Sequence, residues 1–183
     1  MSNVIAIVGE SGSGKSTSLR NLNPKETFII QVVNKQLPWR AWKKNYTLWD
    51  KDKKTGNRII LDKSEHILLL IKMISEKKPE IKNIIIDDFQ YILSNEFMRR
   101  INEKSYQKFN DIGFSGWDLI ESSKQHRDDL NIIFTAHSEI DSNGKLTMKT
   151  IGNILKEKIT IEGLFSYVFV SIVNKDGYFF ETN

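Results

Sequence analysis

The sequence contains no cysteine, three histidines and three prolines among its 183 residues. The absence of cysteine excludes disulfides, thiolate nucleophiles and thiolate zinc sites, and three scattered histidines argue against a structural metal site. No apolar run approaches the roughly 20 residues that a membrane-spanning helix needs. The first apolar run begins at Val4, which leaves no room for a secretion signal. We therefore expect a cytoplasmic protein with no membrane partner.

The composition is that of a globular protein, with 39% hydrophobic and 27% charged residues. A chain of this length forms one domain of ordinary size, so we predict a single domain over residues 1–183. The net charge is +4, but it is unevenly distributed: from Lys35 to Arg58 there are eight basic residues and two acidic ones. A positive segment on a nearly neutral body indicates where a polyanion would bind.

The strongest motif begins at Gly9 and has the spacing G-x-x-x-x-G-K-S. In such a loop the glycines let backbone N–H groups surround a phosphate chain, the lysine meets the terminal phosphates and the hydroxyl holds magnesium. A glycine- and serine-rich surface turn is the alternative. The apolar run 4–8 before the motif favours the phosphate loop. We predict nucleotide contacts from Gly9, Glu10, Ser11, Gly12, Ser13, Gly14, Lys15, Ser16 and Thr17, with Ser16 also a magnesium ligand.

Apolar runs alternate with amphipathic segments along the rest of the chain. Runs rich in β-branched residues predict strands at 27–33, 83–86, 131–136, 164–173 and 178–181. We therefore predict an α/β fold of the three-layer P-loop NTPase type around a mostly parallel central sheet.

Helices are predicted from 64 to 78, from 90 to about 110 and from 117 to 130, with Gly113–Gly116 interrupting the last two. Turn residues at 54–57 separate two short apolar runs, which predicts a β-hairpin insertion at about residues 39–62.

Two carboxylates, Asp87 and Asp88, follow the apolar strand predicted at 83–86. A carboxylate at this place reaches the magnesium shell, as the Walker-B aspartate does in P-loop NTPases, so we assign Asp87 to the metal. Asp88 either orients or deprotonates the attacking water, or caps the following helix. The simplest alternative for both is that they merely begin a loop.

His137 comes just beyond the strand predicted at 131–136. The carboxyl ends of open parallel sheets face the ligand, so a side chain there can contact the γ-phosphate or its water. We expect His137 to act as such a sensor and hydrogen-bond donor, against the alternative of an ordinary loop histidine.

Lys156 and Lys158 are two residues apart, so they would share one face of an extended segment. If they reached a neighbouring subunit's nucleotide, they would supply transition-state charge in trans, as an arginine finger does. A plain charged surface is equally compatible with the spacing.

The basic segment also contains most of the tryptophans, Trp39, Trp42 and Trp49, with Tyr46 between them. Cations for phosphates and aromatic faces for bases are the two parts of a surface that binds single-stranded DNA. The alternative is that the rings pack against the sheet and the lysines keep the segment soluble.

Several further segments follow the phosphate loop in order: V-N-K-Q-L-P at 33–38, W-K-K at 42–44, I-D-D-F-Q at 86–90, D-D-L-N at 128–131, F-T-A-H-S-E at 134–139, K-T-I-G at 149–152, K-E-K-I at 156–159 and E-G-L-F at 162–165. Together with the loop they resemble the phage-encoded AAA-type, RecA-like ATPases associated with single-strand annealing and recombination. The resemblance implies a RecA-like core, ATP with Mg²⁺, single-stranded DNA as partner and self-association. It implies phosphate and magnesium roles for Lys15 and Ser16, the Walker-B role for Asp87, the sensor role for His137 and a cationic finger at Lys156 and Lys158.

Two other functional classes remain open from the residues alone. A nucleotide or small-molecule kinase shares the P-loop but needs an arginine-bearing lid, for which Arg99, Arg100 and Arg127 are the clustered candidates. A nucleotide-gated module with little hydrolysis would act through protein partners. Our preferred hypothesis is a magnesium-dependent, DNA-stimulated ATPase acting in phage recombination or replication.

Overall fold

The computed structural model describes residues 1–141, 144–152 and 154–182, without the side chains of residues 156 and 157. The strands are β1 (Asn3–Gly9), β2 (Thr27–Gln31), β3 (Arg58–Ile60), β4 (Asn83–Asp87), β5 (Asn131–Ile140), β6 (Leu146–Met148), β7 (Tyr167–Asn174) and β8 (Gly177–Thr182). The helices are α1 (Lys15–Ser18), α2 (Trp42–Asn45), α3 (Ser64–Lys77), α4 (Gln90–Arg99) and α5 (Gln107–Ser123). Short 3-10 turns at Leu19–Asn21 and Ile161–Leu164 and a π-helical turn at Ile154–Lys158 complete the described elements.

The main sheet has the strand order β3-β2-β4-β5-β1-β7-β8, and β6 pairs with the outer part of β5. The pairings among β3, β2, β4, β5, β1 and β7 are parallel, whereas β8 and β6 are antiparallel to their neighbours. The predicted α/β fold with a mostly parallel sheet is confirmed. Because β5 lies between β1 and β4 and is parallel to both, the carboxyl ends of all three strands lie at the same edge of the sheet.

The central strands are buried on both faces, as their continuous apolar runs predict. Alternate residues of each strand enter two cores: in β4, Ile84 and Ile86 face the large core under α3, α4 and α5, and Ile85 faces a smaller one. The smaller core is covered by Leu19, Leu37 and Tyr46 with Trp39 and Trp42 against them. The second face of the sheet is therefore closed by α1, α2 and the chain between them.

The prediction that Gly113–Gly116 interrupts a helix is wrong, since α5 runs through both glycines. Close packing explains why glycine is there: a Cβ on Gly113 would lie 2.0 Å from Ile154 Cγ2, and one on Gly116 would lie 2.9 Å from Leu93 Cδ2. The glycines thus let α5 approach its neighbours, and the helix begins at Gln107 and ends at Ser123.

The hairpin predicted at about 39–62 is present only at its tip. Asp50 pairs antiparallel with Thr55, while Leu48 makes a single bridge to Arg58. Residues 46–49 form no strand beyond the Leu48 bridge, and β3 pairs with β2 at the edge of the main sheet. Gly56 is required at this crossing, since a Cβ there would lie 2.3 Å from the carbonyl oxygen of Leu48.

Candidate nucleotide site

The phosphate loop connects β1 to α1 through two glycines in the left-handed region, Gly12 with φ +82° and Gly14 with φ +93°. Residues with a side chain rarely adopt this conformation, so the motif glycines permit the turn. Seven of the nine predicted contacts, residues 11–17, line a cavity of 530 Å³. The other two, Gly9 and Glu10, present carbonyl oxygens to Lys15. The motif therefore forms one wall of the cavity.

Lys15 is buried within this loop. Its Nζ donates hydrogen bonds to the carbonyl oxygens of Gly9 at 2.9 Å and Glu10 at 2.6 Å. Burial lowers the pKa of Lys15 below its ordinary value, and the attraction of Asp88 offsets only part of that effect. Carbonyl oxygens are neutral acceptors, so an anionic ligand in the cavity would stabilise the Lys15 ammonium group more strongly than they do. This agrees with the predicted phosphate contact.

Asp87 ends β4 and is held by two hydroxyl groups. Ser16 Oγ donates to Asp87 Oδ1 at 2.7 Å, and Thr135 Oγ1 donates to the same oxygen at 2.8 Å. The second oxygen, Oδ2, is buried without a hydrogen-bond partner. Burial and the neighbouring Asp88 raise the pKa of Asp87. Magnesium prefers oxygen ligands, and Asp87 Oδ2 is a buried oxygen with no hydrogen-bond partner in the described structure, on a carboxylate that also contacts the Ser16 hydroxyl. These two residues therefore fit the predicted ion.

Among the described residues, no cluster of three or more histidine or acidic side chains is placed to hold a metal ion. Magnesium is commonly held by one or two carboxylates together with substrate phosphates rather than by an all-protein cage. The arrangement of Ser16 and Asp87 is of that kind.

Asp88 adopts φ +69°, an uncommon conformation for a residue with a side chain. Thr135 holds this turn from both sides: its Oγ1 accepts from Asp88 N at 2.9 Å, and its carbonyl accepts from Phe89 N at 2.8 Å. Helix α4 has no side-chain cap, so Asp88 is not the cap that one alternative predicted. Its carboxylate instead pairs with Lys35 and approaches His137.

His137 lies within β5 rather than beyond it, opposite Gly9 of β1. Its Nε2 is 3.9 Å from Asp88 Oδ1, and its backbone N donates to Gln90 Oε1 at 3.1 Å. Burial, and then the charge of Lys15, lower the pKa of His137, so the imidazole is neutral at pH 7. It lines the same cavity as Lys15 and Asp88, which is the placement the sensor prediction requires.

Lys35 was not assigned to this site from the sequence. It follows β2 and reaches the neighbouring strand's carboxylates, with an ion pair to Asp88 and an Nζ to Asp87 Oδ2 distance of 3.8 Å. Thr135 was missed as well. Two sequence features could have identified them. Lys35 follows β2, which also ends at the ligand edge of the sheet, and Thr135 lies two residues before His137 and so shares its face of β5.

The opposite wall of the cavity is aromatic and comes from β8: Tyr178, Phe179 and Phe180. These side chains are exposed at 70%, 49% and 49% of their surface. The ring of Tyr178 lies against the phosphate loop, since a Cβ on Gly14 would be 3.0 Å from Tyr178 Cδ1. Exposed rings beside a phosphate loop provide a surface on which a nucleobase can stack.

Lys158, one of the two lysines predicted to act in trans, does not line this cavity. Lys158 is exposed at the end of the π-helical turn, and the side chain of Lys156 lies outside the described part of the chain. The segment is not extended: Ile154–Lys158 forms a π-helical turn, and Leu155 is buried in the large core. Residues two apart on a helical turn do not share a face as they would on a strand.

The aromatic rings of the basic segment pack toward the sheet, while most of its cations are exposed. Tyr46 is buried, Trp39 stacks edge-on against it at 6.0 Å, and Trp49 packs against Phe28 at 6.0 Å. Trp42 lies under the guanidinium of Arg58, 4.9 Å from its ring centre. The rings therefore pack on the sheet, as the alternative predicted. The exposed part of the segment is cationic: Arg40, Lys43, Lys44, Lys51, Lys53 and Lys54.

Within the described residues, no helix has both the length and the apolar character to cross a membrane. Comparison with family models finds a match to the AAA domain over residues 2–142. This range contains the phosphate loop, both aspartates and His137. No curated protein matches the chain.

Proposed function

This chain belongs to the AAA domain family as a P-loop ATPase, and on that premise we propose that it hydrolyses ATP with Mg²⁺ while acting on single-stranded DNA. The setting that the sequence resemblance suggests is phage recombination or replication. One observation carries the hydrolytic part: Ser16 and Thr135 both donate to Asp87, beside the cavity that Lys15 and His137 line.

Each residue then has a role that its position supports. The phosphate loop and Lys15 bind the phosphate chain, and Ser16 and Asp87 hold the magnesium ion. The ion, when bound, neutralises charge that develops on the phosphate oxygens. Asp88 orients the attacking water or accepts its proton, and the neutral imidazole of His137 donates a hydrogen bond toward the terminal phosphate.

The DNA part of the proposal depends on the exposed cations of the basic segment and on the resemblance. Since the tryptophans pack on the sheet, binding there would be dominated by phosphate contacts and would be sensitive to salt. The test is the ATPase rate with and without single-stranded DNA, measured together with particle mass. Stimulation supports the proposal. An unchanged rate, with no DNA binding at low salt, would overturn its DNA part.

A kinase is the second candidate, but its lid residues are occupied elsewhere. Arg99 pairs with Asp62 and Glu96, and Arg100 pairs with Glu103 and Asp111. Arg127 pairs with Asp129 and donates to backbone carbonyls. Transfer of phosphate from ATP to a nucleoside or another small acceptor would support this function. Nucleotide binding with neither transfer nor hydrolysis would support a nucleotide-gated module.

We also propose self-association in which Lys156 and Lys158 complete a neighbour's site. The exposed position of Lys158 is compatible with contact to another subunit. Subunits with Lys15→Ala are mixed with subunits in which Lys156 and Lys158 are both alanine. Recovery of ATPase activity at some mixing ratio is the expected result, because each variant supplies what the other lacks. Failure to recover at every ratio would contradict the trans role.

A further inference from the structure

The carboxylates of Asp87 and Asp88 are adjacent, and their side chains are only 2% and 4% exposed. Two buried carboxylates side by side repel each other and lose hydration, so they need a cation in contact. In this structure that cation is Lys35. It forms an ion pair with Asp88 and lies 3.8 Å from Asp87 Oδ2, the oxygen that has no hydrogen bond.

Lys35 is held less firmly than the pair it neutralises. Its side chain is 40% exposed, against 2% for Asp87. Its backbone carbonyl accepts from Gln31 Nε2 at 3.1 Å, which anchors the main chain, whereas within the described chain its ammonium group is held only by its contacts with the two carboxylates. The carboxylates, in contrast, are fixed by Ser16, Thr135 and the turn after β4.

A magnesium ion at Asp87 would need the same unpartnered oxygen that Lys35 approaches. Two cations cannot both stay within contact of one buried carboxylate without strong mutual repulsion. Lys35 also lines the cavity with Lys15, so an ammonium group that leaves the carboxylates stays beside the space for the phosphate chain.

We propose that Lys35 is a built-in competitor of magnesium: it neutralises the Asp87–Asp88 pair, and it leaves Asp87 for the phosphates when magnesium nucleotide binds. This inference relies on the proposed nucleotide function for its second half, but the competition itself concerns only Lys35, the two carboxylates and a divalent cation. Lys35 is a positioning residue in this scheme, since it sets which cation the carboxylates hold.

The test uses Mn²⁺ as a paramagnetic substitute for Mg²⁺, with the full chain and no nucleotide. Free Mn²⁺ is measured by its electron paramagnetic resonance signal in wild type, Lys35→Met and Lys35→Arg. Lys35→Met keeps an apolar stem but removes the charge, so we expect Mn²⁺ to bind about tenfold more tightly than in wild type. Lys35→Arg keeps the charge and should bind as wild type does. Lys25→Met, at an exposed lysine of a turn, is the matched control.

Thermal unfolding gives a second measurement. Without divalent cation, Lys35→Met should melt at a lower temperature than wild type, and Mn²⁺ should raise its melting temperature more. If that variant does not fold alone, Mn²⁺ is added during refolding, and recovery of folded protein supports the competition. Equal Mn²⁺ affinity in Lys35→Met and wild type, or no recovery of an unfolded variant, overturns it. Because no nucleotide is present, this result is independent of whether ATP binds or is hydrolysed.

Discussion

The nucleotide site and the basic segment differ in how their side chains are held. At the site, Ser16, Asp87 and Thr135 form hydrogen bonds of 2.7 to 2.8 Å, and Thr135 and Asp87 lie on neighbouring parallel strands. In the basic segment the exposed cations project from α2 and from turns, and the aromatic rings pack against the two cores of the sheet. A sheet fixes side chains at its strand ends, so their chemistry can be assigned residue by residue. A charged surface attracts a polyanion through the combined field of its cations, so its contacts cannot be assigned to individual residues in the same way.

The largest effect that would separate the two regions is expected from Lys15→Ala. The change removes the buried cation that faces the phosphates, so nucleotide binding or turnover should fall about 1000-fold. Binding is measured by titration with a fluorescent ATP analogue, and turnover by phosphate release. Lys25→Ala, an exposed lysine, is the control. Unchanged turnover in Lys15→Ala would contradict the P-loop assignment.

Asp87→Asn should lower magnesium-dependent hydrolysis about 100-fold, because the amide cannot supply the negative charge that holds the ion. Thr135→Val removes the hydrogen bond to the Asp87 carboxylate and the one that Thr135 Oγ1 accepts from Asp88 N, so the magnesium concentration needed for half-maximal hydrolysis should rise about tenfold. Both are measured as phosphate release against magnesium concentration. If Thr135→Val required no additional magnesium, the hydroxyl would have no role in positioning Asp87.

Tyr178→Ala should weaken nucleotide binding about tenfold, because one ring that can stack on the base is lost. Equilibrium binding of ATP and of inorganic triphosphate is compared in the variant. Loss for ATP alone places the effect at the base, whereas equal loss for both ligands would assign Tyr178 to the loop conformation. Tyr167→Ala is the matched control, since Tyr167 is also an exposed tyrosine on a neighbouring strand.

The smallest effect is expected from replacing Lys43, Lys44, Lys53 and Lys54 with alanine. Single-strand binding should weaken about fivefold at physiological salt, and the dependence of log K on log[salt] should become shallower, because cations that contact phosphates are lost. Binding is measured by fluorescence anisotropy at several salt concentrations. An unaltered binding isotherm would contradict the proposed DNA site in the basic segment. The assignment of the nucleotide site would not be affected.

Much of the fold could be predicted because the strands are continuous apolar runs bounded by polar residues. The ends of those runs also located Asp87 and His137 at one edge of the sheet, since parallel strands bring their carboxyl ends together. The phosphate loop was predictable for a different reason, because its backbone conformation requires glycine at fixed places.

The remaining features depend on contacts between distant segments. Helix α5 continues through Gly113 because Ile154 packs there, and no local propensity contains that information. Lys35 belongs to the nucleotide site only because β2 and β4 are adjacent in the sheet. Trp39 and Trp42 pack against the smaller core on the second face of the sheet, whereas Trp49 packs against the large core. The local sequence therefore indicated which residues could bind phosphate or magnesium, while the order of the strands determines which of those residues are in contact.

The contact of Arg58 with Trp42 gives this protein an internal optical probe. Arg58 Nη1 donates to Gln31 Oε1 at 2.7 Å, and Gln31 in turn binds the carbonyl of Lys35 at 3.1 Å. The indole ring thus lies three contacts from the nucleotide cavity, beneath a guanidinium whose position tunes its emission. Ligand binding that shifts the chain at Lys35 should be visible as a change in tryptophan fluorescence, without any label, and Trp42→Phe should remove the signal.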